Sequence, residues 1–186
     1  RESLLEAGMY NEGFKTYGWE GTELNWRLIR LCGLHMRYCR DALAWHRNPL
    51  DFQRASQNLF QSGKSMVFML RLHPEVLFPE RSGKMAAMFQ KRLSDAVEYV
   101  PPCRDRLAPM REQLMRAEER YRIEPTSRNR ARLLQTYTRQ LKCAFTEGAW
   151  QEMRGIDFPC AALTGDLHRA LIPLPLEWRA SYYSFD

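Results

Sequence analysis

The sequence holds no uninterrupted apolar stretch near the roughly 20 residues that a membrane-spanning helix requires. The longest apolar run, Met66 to Leu70, is closed off by Lys64 and Arg71, so no transmembrane segment is expected. Cysteine is sparse and odd in number, five residues at 32, 39, 103, 143 and 160 with no Cys-x-x-Cys. That pattern argues against a disulfide-stapled secreted domain and fits a reducing compartment. On one helix Cys32 and Cys39 would share a face, as buried thiols more readily than as a redox or metal pair.

Catalytic and ligand motifs are equally scarce. The histidines at 35, 46, 73 and 168 are scattered, with no His-x-x-x-His or His-Glu-x-x-His pair, so no metal site is expected. No serine sits in a Gly-x-Ser-x-Gly elbow. Ser62-Gly63-Lys64-Ser65 ends like a phosphate loop but lacks the earlier glycine and a preceding strand. The pair Glu118-Glu119 falls on a helix face expected to be solvated. The sequence therefore predicts a protein that is not an enzyme.

What is present is enough to fold. The 186 residues are 45% hydrophobic and 27% charged, with a formal net charge of +6, which suits one ordinary domain or one core with an appendage. The basic balance allows RNA, an anionic membrane surface or an acidic protein as partner. Long single-sign runs are lacking, so the arginines are expected to decorate folded helices. The first residue is Arg1, which reads as a processed or incomplete product with any targeting segment out of sight.

Helical spacing dominates, strand signals are weak, and the expected fold class is all-α. A first helix is predicted over Glu2 to Gly18, weakened by Gly8 and Gly13 at about 1 kcal/mol each. The second, Thr22 to His46, has Thr22 as its N-cap and Leu24, Leu28, Leu31, His35, Cys39 and Leu43 on one face, and Asn48-Pro49 ends it. The third, from about Leu50 to Arg71, carries the stripe Phe52, Ala55, Leu59, Gly63, Met66 and Leu70. Gly63 is either the point of a close helix approach or a tolerated glycine. The two prolines of His73 to Gly83 favour an extended path against a surface. Further helices are predicted over Lys84 to Tyr99, Pro109 to Arg122 and Ser127 to Phe145, with an irregular, aromatic docking tail from Gly148 onward. The divisions are thus 1–72, 73–83, 84–147 and 148–186.

Two stretches carry a family resemblance. Trp45-His46-Arg47-Asn48, with Leu59-Phe60-Gln61-Ser62-Gly63-Lys64 and then Phe68 and Leu70, resembles the end of helix two and the Gly-centred helix three of LYR-motif proteins. Arg71-Leu72-His73-Pro74-Glu75-Val76-Leu77-Phe78-Pro79 is similar to the His-Pro…Pro connector of the LYR accessory subunit in the distal membrane arm of mitochondrial complex I. The namesake motif then falls on Met9-Tyr10-Asn11, followed by Phe14 and Lys15. The tyrosine is kept and the arginine has become Asn11. The resemblance covers roughly residues 5–85, plus a weak match over Pro173 to Tyr183.

That resemblance implies an N-terminal three-helix LYR-type bundle in a non-catalytic accessory subunit of the electron-transport chain, on the matrix side of the mitochondrial inner membrane. It further implies a mitochondrial acyl carrier protein and other complex I membrane-arm subunits as partners. No covalently bound cofactor is expected; an acyl-phosphopantetheine group would be contributed by the partner. Lys15, Arg37, Arg40, Arg47 and Lys64 are the ion-pair donors available to an acidic carrier, and Met9, Tyr10, Asn11, Phe14, Trp45 and Gly63 complete the expected contact set. Gly63, Met66 and Met69 either line a tunnel for the acyl chain or fill an ordinary core, and the core is the preferred reading. Two rivals remain. One is an RNA-binding mitochondrial small-subunit ribosomal protein, whose expected Asp and Ser would be Pro49 and Phe52. The other is an LYR-type assembly factor for iron–sulfur delivery.

Overall fold

The structure, a computed structural model, describes residues 1–44, 51–99 and 104–155. Among these the regular structure is entirely helical: α1 (Glu2–Glu6), α2 (Glu20–Cys32), α3 (Phe52–Leu72), a 3-10 turn (Pro74–Leu77), α4 (Pro79–Ser82), α5 (Lys84–Val97), α6 (Arg104–Ile123) and α7 (Ser127–Arg154). No described helix is long and apolar enough to cross a membrane.

Helix α3 forms where its periodicity places it. All six stripe residues, Phe52, Ala55, Leu59, Gly63, Met66 and Leu70, are buried. Its N-terminus is closed by Asp51, whose carboxylate accepts the Arg54 N–H at 2.7 Å. Asp51→Ala removes that acceptor and is expected to lower stability by about 1 kcal/mol, read as a fall in the urea midpoint at unchanged slope.

The principal partner of α3 is α7, and α5 and α6 flank α7. The core includes Phe52, Met66, Met69, Phe89, Tyr137 and Leu141. The Phe52 and Tyr137 rings stack at 4.7 Å between centroids. Where α3 and α7 cross, two glycines face each other. A Cβ on Gly63 would run into the Phe145 carbonyl oxygen and lie 2.8 Å from the Ala149 nitrogen; one on Gly148 would run into the Phe60 carbonyl. Gly63 is therefore a point of close approach, and Met66 and Met69, both fully buried, fill the core.

Several predicted boundaries are corrected. The first helix stops at Glu6, not Gly18, because Gly8 (φ +80°) and Met9 (φ +59°) turn the backbone left-handed immediately after it. Helix α2 begins after Trp19, not at Thr22, and ends at the left-handed Gly33 cap, whose N–H bonds the Leu28 carbonyl. Residues 34–44 contain no helix, so His35, Cys39 and Leu43 lie exposed, Leu43 at 84%. Cys32 is half-buried on α2, Cys39 is exposed, and they share no helix face. Of the three helices within 1–72, α1 is a single turn, α2 stops at Cys32 and α3 packs mainly on α7.

The connector is turned, not extended: Pro74 and Pro79 each occupy the first turn of a short helical segment, where a missing N–H costs nothing. Its surface contact is Val76, fully buried. Helix α6 starts at Arg104, ahead of the expected Pro109, which it carries internally. Helix α7 begins at Ser127 as predicted, capped by Thr126. It continues through Gly148 to Arg154, where an irregular tail was expected, and stops at the left-handed Gly155. The Glu118 face is not solvated throughout, for Tyr137 Oη donates to Glu118 Oε1 at 2.8 Å. Burial pushes the Glu118 carboxyl above its ordinary range, opposed by that hydrogen bond. Burial and the Glu118 carboxylate raise the Tyr137 phenol. The rest of the expected tail, 156–186, lies outside the described residues.

Candidate functional site

The first half of the chain is organised by a strap and an ionic knot. Residues 13–18 lie across α3. Phe14 sits edge-on to Phe68, with ring centroids 4.9 Å apart. The Thr16 and Ser65 hydroxyls are 2.5 Å apart, and Ser65 Oγ donates to the Thr16 carbonyl at 3.1 Å. Gly18 (φ +96°) passes over Ser62, where a Cβ would stand 2.9 Å from Oγ. Trp19, also left-handed, then turns the chain into α2.

The knot is centred on Glu23, 1% exposed. Arg27, one turn on, holds it through Nε at 2.6 Å and Nη2 at 2.8 Å. His73 Nε2 stands 2.9 Å from Glu23 Oε1, and, because a carboxylate only accepts, the ring donates there. His73 Nδ1 lies 3.4 Å from Glu75 Oε1, which also accepts the Trp26 indole N–H at 3.0 Å. The Arg27 guanidinium donates in addition to the Ala7 and Met9 carbonyls. One buried charge cluster thus ties the N-terminal turn, α2 and the connector together. Burial opposes ionisation of Glu23, but the hydrogen bonds and charges of Arg27 and His73 outweigh it and hold the carboxyl below its ordinary range. Glu75 is lowered likewise: burial opposes, and the Trp26 hydrogen bond and His73 prevail.

The expected contact residues separate into groups. Met9 and Tyr10 are exposed on the turn after α1, at 47% and 58%. Asn11 closes the next turn by accepting the Gly13 N–H at 2.8 Å. Phe14 is anchored on α3 while Lys15, beside it, is exposed. The strap holds Phe14 against Phe68, one turn beyond Gly63 and Lys64 on α3. Lys64 is half-buried, its ammonium 6.0 Å from the Phe60 ring centroid. Gly63 itself is occupied by α7. Arg37 and Arg40 are exposed in the non-helical stretch 34–44, and Trp45 and Arg47 lie outside the described residues. Of the connector, His73 belongs to the knot, Pro74 and Pro79 start helical turns, and Phe78, between them, is half exposed.

Sequence reasoning did not single out Glu23, Trp26 and Arg27 as partners of the connector. Their only local signal was the i, i+4 spacing of Glu23 and Arg27. Eleven of the seventeen large hydrophobic side chains exposed among the described residues fall within residues 1–44, among them Leu5, Met9, Tyr10, Leu31, Met36, Tyr38 and Leu43. Apolar exposure among the described residues is thus concentrated, along the chain, in its first 44 positions. No known protein family, curated protein or solved structure matches the chain.

Proposed function

We propose that the chain is a non-catalytic accessory subunit of mitochondrial respiratory complex I, on the matrix side of the inner membrane, that docks an acyl carrier protein and contacts other membrane-arm subunits. The exposed apolar residues of the first 44, interspersed with the exposed cations Lys15, Arg37 and Arg40, carry the reading. Apolar contact supplies affinity to such a surface, and the cations set orientation and on-rate toward an acidic carrier. The resemblance of the Gly63 helix and the His73–Pro79 connector supplies the identity of the partner. The acyl-phosphopantetheine would arrive on that partner.

The test is native purification followed by intact-mass measurement. A small acidic protein bearing a phosphopantetheine mass should accompany the full chain at one-to-one stoichiometry. Combining Lys15→Glu, Arg37→Glu and Arg40→Glu should weaken its retention by about tenfold or more, since reversing a charge places like charges together at the interface. Undiminished retention would remove these cations from the interface, and purification without any carrier would defeat the reading.

The rival RNA reading rests on a different observation. Arg116, Arg120, Arg128 and Arg132 line two adjoining clefts between α6 and α7. If RNA is the partner, retention should fall steeply with salt as condensed counterions are released. An assembly factor, in contrast to a subunit, would leave no stoichiometric place in the purified respiratory complex.

A further inference from the structure

The turn that joins α6 to α7 is flanked by two adjoining clefts, of about 300 and 580 Å³, whose linings share Arg120, Asn129 and Arg132. None of the lining residues lies in the stretches that carry the family resemblance, so the site stands apart from the proposed carrier surface. Helical spacing builds it. Arg116 and Arg120 are one turn apart on α6, and Arg128 and Arg132 one turn apart on α7. At a rise of about 1.5 Å per residue, each pair falls within about 6 Å of helix axis. The hairpin is fixed from inside by Leu114, Leu133 and Tyr137, all buried. Across it, Tyr137 bonds Glu118 and the Gln140 amide donates to the Met110 carbonyl at 3.0 Å.

Four arginines thus line the clefts against one carboxylate, Glu124, which already accepts the Asn129 side-chain amide at 3.2 Å. Arg116 pairs with Glu112 on its own helix. Among the described residues, the guanidiniums of Arg120, Arg128 and Arg132 make no hydrogen bond or ion pair. No aromatic side chain among the described residues lines either cleft, so a nucleobase has no ring to stack on there.

We propose that the α6–α7 clefts together form a binding site for a small polyphosphate anion, its phosphoryl groups bridged between the arginines of the two helices. A guanidinium answers phosphoryl oxygens with paired N–H donors, and several held in one concave site favour an anion of several charges. The shortness of the basic stretch and the lack of a stacking ring favour a compact anion over an RNA strand, which draws its affinity from a longer run of phosphates and from its bases.

Calorimetric titration of the full chain with sodium tripolyphosphate, at constant ionic strength, tests the site. Tripolyphosphate should bind at one site per chain, and orthophosphate at least about tenfold more weakly, because it offers fewer charge-assisted contacts. Arg120→Gln and Arg132→Gln change exposed residues common to both clefts. Each should weaken tripolyphosphate by about tenfold while leaving the thermal unfolding transition in place. Arg81→Gln removes the same charge from an exposed position on α4, outside the clefts, and should change the affinity by less than about twofold. Absence of tripolyphosphate binding, equal affinity for orthophosphate, or a loss in Arg81→Gln as large as in Arg120→Gln would each overturn the proposal. Oligouridylate retained through Arg120 and Arg132 where tripolyphosphate is not would give the clefts to RNA, and the proposal would fall.

Discussion

Gly63→Ala and Gly148→Ala are each expected to destabilise the fold by about 3 kcal/mol, at the upper end of overpacking penalties. The usual relief, a side chain changing rotamer, does not exist here. The added Cβ meets backbone in both cases, the Phe145 carbonyl from Gly63 and the Phe60 carbonyl from Gly148. The helices must therefore separate along the crossing and lose close packing across the core. For a domain of this size that corresponds to a fall in melting temperature of about 6–12 °C, read by calorimetry or circular dichroism. The two changes should not add. Once the first has spread the crossing, the second meets less resistance, so the double variant is expected to lose clearly less than the sum. Gly21→Ala is the control. It lies in α2 with nothing within 4 Å of its would-be Cβ, and should stabilise by up to about 1 kcal/mol from helix propensity alone. A Gly63→Ala variant that melts like Gly21→Ala would contradict the crossing geometry.

The second large effect belongs to Glu23. Glu23→Gln should cost about 3 kcal/mol, because it leaves the Arg27 guanidinium without its compensating charge in a cluster largely removed from water. The isosteric amide keeps the packing, which makes the loss electrostatic. Adding Arg27→Met to Glu23→Gln should recover part of it, since removing both charges is less costly than stranding one. The pH dependence follows in sign. Glu23 and Glu75 are held below their ordinary values in the folded protein. Their contribution is complete above the ordinary carboxyl range and is lost as pH falls through the folded-state values. Urea unfolding at neutral pH and at successively lower pH should show that loss in the parent chain. Glu23→Gln should show a shallower fall; an unchanged slope of stability against pH would place the acid sensitivity elsewhere.

Local pattern was enough for α3 and for the start of α7. In both, apolar residues recur at the helical period and an Asx or Thr cap stands at the N-terminus. These signals act within a few residues and agree with each other. It was not enough for α1 and α2. There the periodic hydrophobes pointed past Gly8 and Gly33, and the backbone instead used each glycine as a left-handed stop. Periodicity records which face could be buried, not whether a neighbour is present to bury it. Without such a neighbour the glycine stop prevails, and Leu31, Leu34, Met36 and Leu43 are left exposed. Gly148 erred in the opposite direction. Its local preference suggested a break, and packing against Phe60 of α3 kept it inside a 28-residue helix.

For the candidate site the division is similar. Residue type and family resemblance nominate Tyr10, Lys15, Arg37 and Arg40, which are expected on the first two helices; the structure leaves them exposed on non-helical segments. The Glu23–His73 contact spans fifty residues, and no short-range spacing encodes it. The clefts beside Arg120 likewise need α6 and α7 to meet.

By itself, the amino-acid order determined the all-helical character of the described residues, the register of α3, and the absence of a long apolar span. Each follows from interactions between neighbours a few positions apart. Only the tertiary structure decided which glycines end helices and which join them, that the connector folds into turns, and that a buried carboxylate meets a histidine fifty residues away. Those outcomes depend on contacts between residues far apart in the chain, and on the cost of leaving a backbone group or a charge unanswered once water has been excluded.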